Sequence, residues 1–281
     1  MNNRKHYILL LVIGIYCALS PKKVIAQKTE IGAMAGAAFY YGDLNPRYGV
    51  RFPGGGGNML LRQNFDGRMC VKGTIGYSYL WADDALSNSA YAQARNLRFF
   101  SHTYNGSVQL EFNFQPYHSA NNYSSSKDKK VSPYLATGLS IVYFNPRAEY
   151  LGGIYSLRDM GTEGQPLGSE YAKVSPAWLL GGGVKFDVSK TWSVNIEMMG
   201  HLLFTDYLDD VSGTYADFSV VEGHHGTAAA ALSDRSLEVP DATVRMGGAG
   251  RQRGDSRSKD AYLTIHIGLV YRFLQINCPA Y

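Results

Sequence analysis

From residue 68 onward, apolar and polar positions alternate with a period of two. Met69, Val71, Gly73, Ile75, Tyr77, Tyr79 and Trp81 share one face, opposite Arg68, Cys70, Lys72, Thr74, Gly76 and Ser78. Successive side chains of a strand point to opposite faces, so this predicts a β-strand with one apolar side ending in aromatics. The pattern returns at 104–114, with Tyr104, Val108, Leu110, Phe112 and Phe114 against Asn105, Gln109, Glu111 and Asn113, and again at 192–204 and 263–273. Weaker versions, richer in Gly and Ala, mark 31–41, 55–63, 133–143 and 175–186. Eight strands are predicted; 216–221 and 237–246 would add a hairpin and raise the count to ten.

Alternation alone fits a soluble sandwich, a lipocalin-like barrel or a transmembrane barrel. Three features favour an eight-stranded antiparallel up-and-down transmembrane β-barrel. Aromatics stand at the ends of the apolar faces (Tyr79 and Trp81, Phe112 and Phe114, Trp192 and Phe204, Tyr271 and Phe273), as girdles at two membrane interfaces would. The opposite faces carry Arg68, Lys72, Glu111, Glu197, His201 and Arg272 among Gly and Ser, which suits a narrow polar lumen. Connections also alternate: 64–67 and 187–191 are tight, whereas 82–95, 145–172 and 205–260 are long, the outer-membrane pattern of periplasmic turns and extracellular loops. The hydrophilic stretch 117–130 is the exception on the short-turn side. Both chain ends of the barrel then face the periplasm.

Composition adds a leader and removes a class of partner. Arg4 and Lys5, the apolar run 8–19 and Val24-Ile25-Ala26 have the three parts of a secretory signal, giving a signal peptide at 1–26, a barrel at 27–273 and a periplasmic tail at 274–281. Cys17 follows Tyr16, where a lipidation site needs a small residue, so a lipoprotein is not expected. Without Arg4, Lys5, Lys22 and Lys23 the chain has equal basic and acidic residues, 23 of each, and no electrostatic reason to bind nucleic acid. Cys70 and Cys278 remain after cleavage. They would form a disulfide in an oxidising compartment, or stay as a buried small residue and a free thiol.

Candidate motifs are few. His266, Gly268, Tyr271 and Phe273 fit the polar-x-Gly-x-x-apolar-x-apolar pattern of a barrel insertion signal, although the tail displaces it from the chain end. Asp83, Asp84, Asp206, Asp209 and Asp210 stand at the predicted extracellular strand ends, near His201. Such groups could polarise water, as at the rim of an omptin-type protease, or serve as solvated or loop-capping carboxylates. His224 and His225 lack a further ligand at metal-site spacing. Gly54 to Gly57 lacks the Lys-Ser/Thr of a phosphate loop and fits sharp curvature or close packing instead. The stretch 247–259, with Arg251, Arg253, Arg257 and Lys259, is locally basic and could meet lipopolysaccharide. No catalytic, cofactor-binding or metal-binding residue is expected, and no small-molecule substrate.

Several segments together resemble the PorG-type barrels of the type IX secretion system, outer-membrane proteins of OmpA-like shape. They are 40–45 (YYGDLN), Asp83-Asp84-Ala85, 95–99 (RNLRF), 109–114 (QLEFNF), 132–135 (SPYL), 143–146 (YFNP), 161–164 (GTEG), 205–215 (TDYLDDVSGTY) and 231–235 (ALSDR). The block at 205–215 holds a loop motif of unknown role: Asp206, Tyr207, Asp209, Asp210, Gly213 and Tyr215. The resemblance implies a non-enzymatic part of an export machine, associated with a periplasmic ring lipoprotein and its partner. From topology, the periplasm-facing parts, the segment 117–130, the tight turns and the tail 274–281, would make that contact. The competing readings are a rim-acting surface enzyme, protease or lipid-modifying, and a passive adhesin or pore.

Overall fold

The strands form where period-two alternation is strongest, and they close on themselves. In chain order they are β1 (Thr29–Tyr41), β2 (Gly54–Asn64), β3 (Met69–Asp83), β4 (Arg98–Asn113), β5 (Val131–Tyr143), β6 (Arg147–Tyr150), β7 (Gly153–Ser156), β8 (Val174–Asp187), β9 (Trp192–Leu203) and β10 (Ala261–Arg272). The computed structural model describes residues 29–46, 50–116, 131–189 and 191–273. The expected signal peptide, the connection 117–130, the tail 274–281 and Cys278 lie outside the described residues.

Eight of these strands make a closed antiparallel barrel, each paired with its neighbours and β10 returning to β1 from Glu30↔Arg272 to Tyr41↔Ala261. The remaining two, β6 and β7, are a small hairpin in a long loop, joined to β4 by the single pair Phe100↔Arg147. Eight strands are as predicted, and the hairpin at 216–221 and 237–246 that the ten-strand alternative required does not form. Asp217 caps a helix, α2 (Phe218–His225), and the alanine run after Gly226 continues as α3 (Thr227–Ser233). Here local helix propensity outweighs the β-branched pair Val220-Val221. Strand β4 starts at Arg98 rather than Tyr104, so the β3–β4 wall stands taller than alternation predicted.

Burial is inverted relative to a soluble barrel. Ile75, Val108 and Leu139 are each about two-thirds exposed on the outer wall, while Arg62, Lys72 and Lys185 are wholly buried inside. No water-soluble arrangement gains from that exchange, whereas a bilayer rewards it. Closure also satisfies the backbone ladder that lipid cannot. The chain is therefore a transmembrane β-barrel, and no helix among the described residues is long and apolar enough to cross a membrane. Phe112, Phe114, Trp192, Tyr271 and Phe273 ring the short-turn end, with Tyr271 edge-on to both Trp192 and Phe273.

The lumen is filled by an ion network. Glu111 accepts from Lys72 Nζ at 3.0 Å, Lys185 Nζ at 2.8 Å and Arg62 Nη2 at 3.2 Å. Arg62 also binds Glu30 at 2.8 Å, and Glu30 binds Arg272 at 3.0 Å. Lys72 pairs further with Glu197, and Arg272 with Asp187. Cations Arg62, Lys72, Lys185 and Arg272 thus balance Glu30, Glu111, Glu197 and Asp187. Arg68 does not join them: the tight turn, held by Asp66 Oδ1 accepting from the Arg68 and Met69 amides, leaves it exposed outside the lumen.

The glycine run at 54–57 has position-specific uses. A Cβ on Gly54 would sit 1.7 Å from the Tyr79 carbonyl oxygen, whereas one on Gly55 meets nothing within 4 Å. Gly54→Ala should therefore destabilise the barrel by about 1–3 kcal/mol, and Gly55→Ala by no more than about 0.5 kcal/mol. Urea unfolding of the two refolded variants checks this; equal midpoints would contradict it.

Candidate functional site

The described parts of the four connections at the long-loop end, 42–46 with 50–53, 84–97, 144–173 and 204–260, fold together into a cap over the barrel mouth. Its apolar core joins Leu44, Phe52, Leu97, Phe144, Leu157, Leu208 and Leu232 to barrel residues Leu80, Val142 and Tyr262. The rim carboxylates lie within this cap. Asp206, Asp209 and Asp210 are all buried, which corrects the solvated reading and agrees with loop capping.

Each carboxylate has defined partners. Tyr40, at the top of β1, donates its hydroxyl to Asp209, whose other oxygen accepts from the Val211 amide at 2.9 Å. Asp210, in a left-handed backbone conformation at φ 72° that Asp tolerates, accepts from the Thr162 hydroxyl and from the Tyr171 hydroxyl at 2.7 Å. Asp206 accepts from Ser212 at 2.7 Å, and Asp260 from the Leu208 amide at 2.8 Å. Glu163 accepts from the backbone amides of Ser212 and Gly213. Tyr171 stacks on Tyr207 with centroids 4.4 Å apart.

Two buried arginines bind the loops to one another. Arg95, the last residue of α1 (Ala90–Arg95), pairs with Asp84 at 2.7 Å and donates to the carbonyls of Arg253 and Asp43. Arg253 donates to Glu163 at 3.1 Å, to the Asp210 carbonyl and to the Ser233 carbonyl at 3.3 Å. At Arg253 the basic stretch therefore turns inward, away from any lipopolysaccharide surface. Tyr215 is buried too, its amide bonded to the Arg251 carbonyl, while the Gly213 carbonyl accepts from the Arg253 and Gly254 amides. Arg253→Lys should not preserve the cap, because a single ammonium cannot reach carbonyls and carboxylates on three sides. Cleavage of 204–260 by added protease should rise severalfold in this variant; a parental digestion pattern would contradict the role.

Acidic groups outnumber cations in this interior, and their proton affinities respond. Burial lifts Asp206 to about 7, and lifts Asp210 to about 6 against the pull of Arg253. Asp43 rises to about 6, again mainly through burial. Asp209 and Asp260 rise well above the usual carboxylate range through burial and through neighbouring carboxylates, Asp43 beside the first and Asp209 beside the second.

The remaining candidates are not brought to this network. His201 lies inside the barrel, stacked on Tyr262 at 4.1 Å, and His225 meets the Gln165 carbonyl. Among the described residues no three His, Cys, Asp or Glu side chains are placed to hold a metal. His266 points inward to Asn58, Gly268 packs against the β1 backbone, and Tyr271 and Phe273 face outward. Cys70 is a buried thiol donating to Glu111 at 3.1 Å. Sequence reading assigned no role to Thr162, Tyr171, Arg95 or Asp260, and read Arg253 only as part of a basic stretch; the GTEG block at 161–164 and the RNLRF block at 95–99 were the available signals for Thr162 and Arg95.

A family model described as "Domain of unknown function (DUF6089)" matches residues 7–223. No curated protein matches the chain. Solved structures similar to it include Neisserial surface protein A, at 10% identity and a TM-score of 0.42, covering 87% of this chain and 97% of that one. Ail, the attachment invasion locus protein of Yersinia pestis, is similar at 11% identity and a TM-score of 0.40, covering 88% and 98%. A major outer membrane protein from Thermus thermophilus is similar at 14% identity and a TM-score of 0.39, covering 87% and 99%.

Proposed function

The chain belongs to the DUF6089 family, and from that footing we propose that it is a non-enzymatic outer-membrane barrel of the type IX secretion machinery, anchoring or organising the periplasmic ring. One observation carries this reading. The sequence blocks that resemble PorG-type barrels are scattered over the chain, yet they meet in one place: Tyr40 with Asp209, Asp84 with Arg95, Thr162 with Asp210 and Glu163 with Ser212. The resemblance therefore lies in a three-dimensional cap as well as in a barrel pattern.

The chemistry of that cap favours a structural use. Its carboxylates direct their oxygens to hydroxyls, amides and guanidiniums of the loops themselves, and among the described residues no histidine is hydrogen-bonded to them to make the general acid and base of a rim hydrolase. The balanced ion network inside the lumen favours a filled scaffold over a conduit. With the cap outside, the short turns and the tail face the periplasm, where a ring lipoprotein and its partner would dock.

Photo-crosslinking from single positions in 117–130, in 274–281 and in the four long loops, in native outer membranes, tests the reading. Adducts with a periplasmic ring lipoprotein or its partner from the first two segments are expected. Adducts with these proteins from the long loops alone, or none from any position while the barrel is folded, would overturn it.

A further inference from the structure

The cap also contains a cleft of ≈540 Å3 that the network does not use. It opens where three loops meet: 43–46 from the first, 87–95 from the second and 246–254 from the fourth. Its size is within the range of small-ligand sites, about 300–1,000 Å3.

The cleft is preformed. Arg95 passes beneath it and ties the Asp43 and Arg253 carbonyls and the Asp84 carboxylate to one guanidinium, so all three loops share a floor. Gly254 lets the fourth loop lie on the first, since a Cβ there would stand 2.3 Å from Asp43 Oδ2 and 2.9 Å from the Ser212 backbone. Tyr91 is steadied by its hydroxyl bond to the Gln252 carbonyl at 3.1 Å, and half of the residue stays exposed. A ligand entering this cleft has little loop ordering left to do.

The lining specifies the chemistry. Tyr91 offers an aromatic wall. Arg251 donates one bond to the Met246 carbonyl at 3.1 Å, which leaves the other N–H groups of its guanidinium for the cleft. Ser89, at the head of α1, makes no capping bond with its side chain. The Gln252 side chain is exposed beside them, and Asp43 is among the lining residues, with its Oδ2 buried beneath Gly254. The other guanidiniums nearby are already paired, Arg95 with Asp84 and Arg253 with Glu163 and Asp210, so the cleft is not a general anion trap.

One aromatic face with a guanidinium, an amide and a hydroxyl beside it matches a saccharide ring, which has an apolar C–H face and hydroxyls that both donate and accept around its edge. An apolar side chain would leave these polar groups unpaired, and a purely anionic group would meet Asp43. We infer that this cleft is a saccharide-binding site for the sugar chain of a glycolipid in the membrane leaflet below the cap. Of the basic stretch at 247–259, this assigns Arg251 to the ligand and leaves Arg257 and Lys259 without a part in it. The inference does not depend on the secretion reading, since a barrel with any partner would carry the cleft.

Calorimetric titration of the full chain in detergent with deacylated lipopolysaccharide core oligosaccharide tests it, with heat-modifiable gel migration confirming that each variant is folded. The parent should bind. Tyr91→Ala and Arg251→Ala should each weaken binding by about tenfold or more, while Tyr91→Phe, which keeps the ring, and Arg257→Ala should stay within about threefold. The inference is overturned if the folded parent gives no binding, if Tyr91→Ala binds as the parent does, or if Arg257→Ala loses as much as Arg251→Ala. Displacement of the oligosaccharide by an unrelated acidic peptide at equal concentration would also overturn it, since that marks recognition of charge alone.

Discussion

Glu111→Gln should cost the barrel about 3–5 kcal/mol, the range for breaking a buried ion pair from one side. The carboxylate is wholly buried and faces three cations, Arg62, Lys72 and Lys185, none of which has water to fall back on. Gln keeps the shape and one acceptor oxygen but removes the charge that offsets them. Lys185→Met in the same chain should recover part of the loss, because it restores the balance of charge. Arg98→Gln is the contrasting case. Its partner Glu238 stands 3.7 Å away and both side chains are partly exposed, so the expected change is about 0–1 kcal/mol. Denaturant unfolding from phospholipid vesicles, followed by tryptophan fluorescence, measures all three. A Glu111→Gln barrel within about 1 kcal/mol of the parent would refute the central place given to this residue.

Raising the pH should open the cap. Asp206, lifted to about 7, and Asp43 and Asp210, each lifted to about 6, bind protons more tightly in the closed cap than in hydrated loops, where a carboxyl returns to about 3.9. The closed state therefore holds more protons than the open one above pH 4. Its stability is greatest below about pH 4, falls as pH rises towards about 7, and is level beyond. Asp209 and Asp260, shifted in the same direction, add to the decline. Hydrogen exchange of 204–260, corrected for the intrinsic rate, should show opening about tenfold or more frequent at pH 8 than at pH 5. Asp206→Asn should flatten the response. Protection that rises between pH 5 and pH 8 would reverse the sign and reject the account.

The barrel was legible in the chain wherever packing followed the local pattern. The alternation at 69–81 and 192–204 names the outward residues one by one, because a lipid-facing wall requires every second side chain to be apolar. Strand β1 is fainter, since its outer face is built from Ala33, Ala35 and Ala37, small residues that carry little hydrophobic signal. Glu30, Arg62 and Lys185 went unrecognised as lumen charges for a related reason: each sits at the end of a Gly- and Ala-rich stretch that reads weakly as strand. The cap was legible only as a set of motifs. Asp209 and Asp210 stand out in the sequence, but Tyr40 lies 169 positions from Asp209 and Arg253 lies 90 from Glu163. No local rule places such residues together. The helices at 218–233 were missed because Val220 and Val221 resemble a strand when the alanines beyond Gly226 are not weighed with them.

The seam between the first and last strands has a consequence for how the molecule is made. Glu30 on β1 binds Arg62 on the neighbouring β2 and Arg272 on β10, which is 242 positions away. A slip of one residue along this seam would turn apolar side chains inward and be rejected at once. A slip of two keeps every face correct, so hydrophobicity alone does not detect it. It would, however, move Arg272 by about 7 Å, two strand residues, relative to β1 and separate it from the Glu30 carboxylate, while its pairing with Asp187 on the other side stays. Glu30 thus discriminates between right and wrong closures that the membrane itself treats as equal, and the joint is proofread by charge at the moment the cylinder is completed.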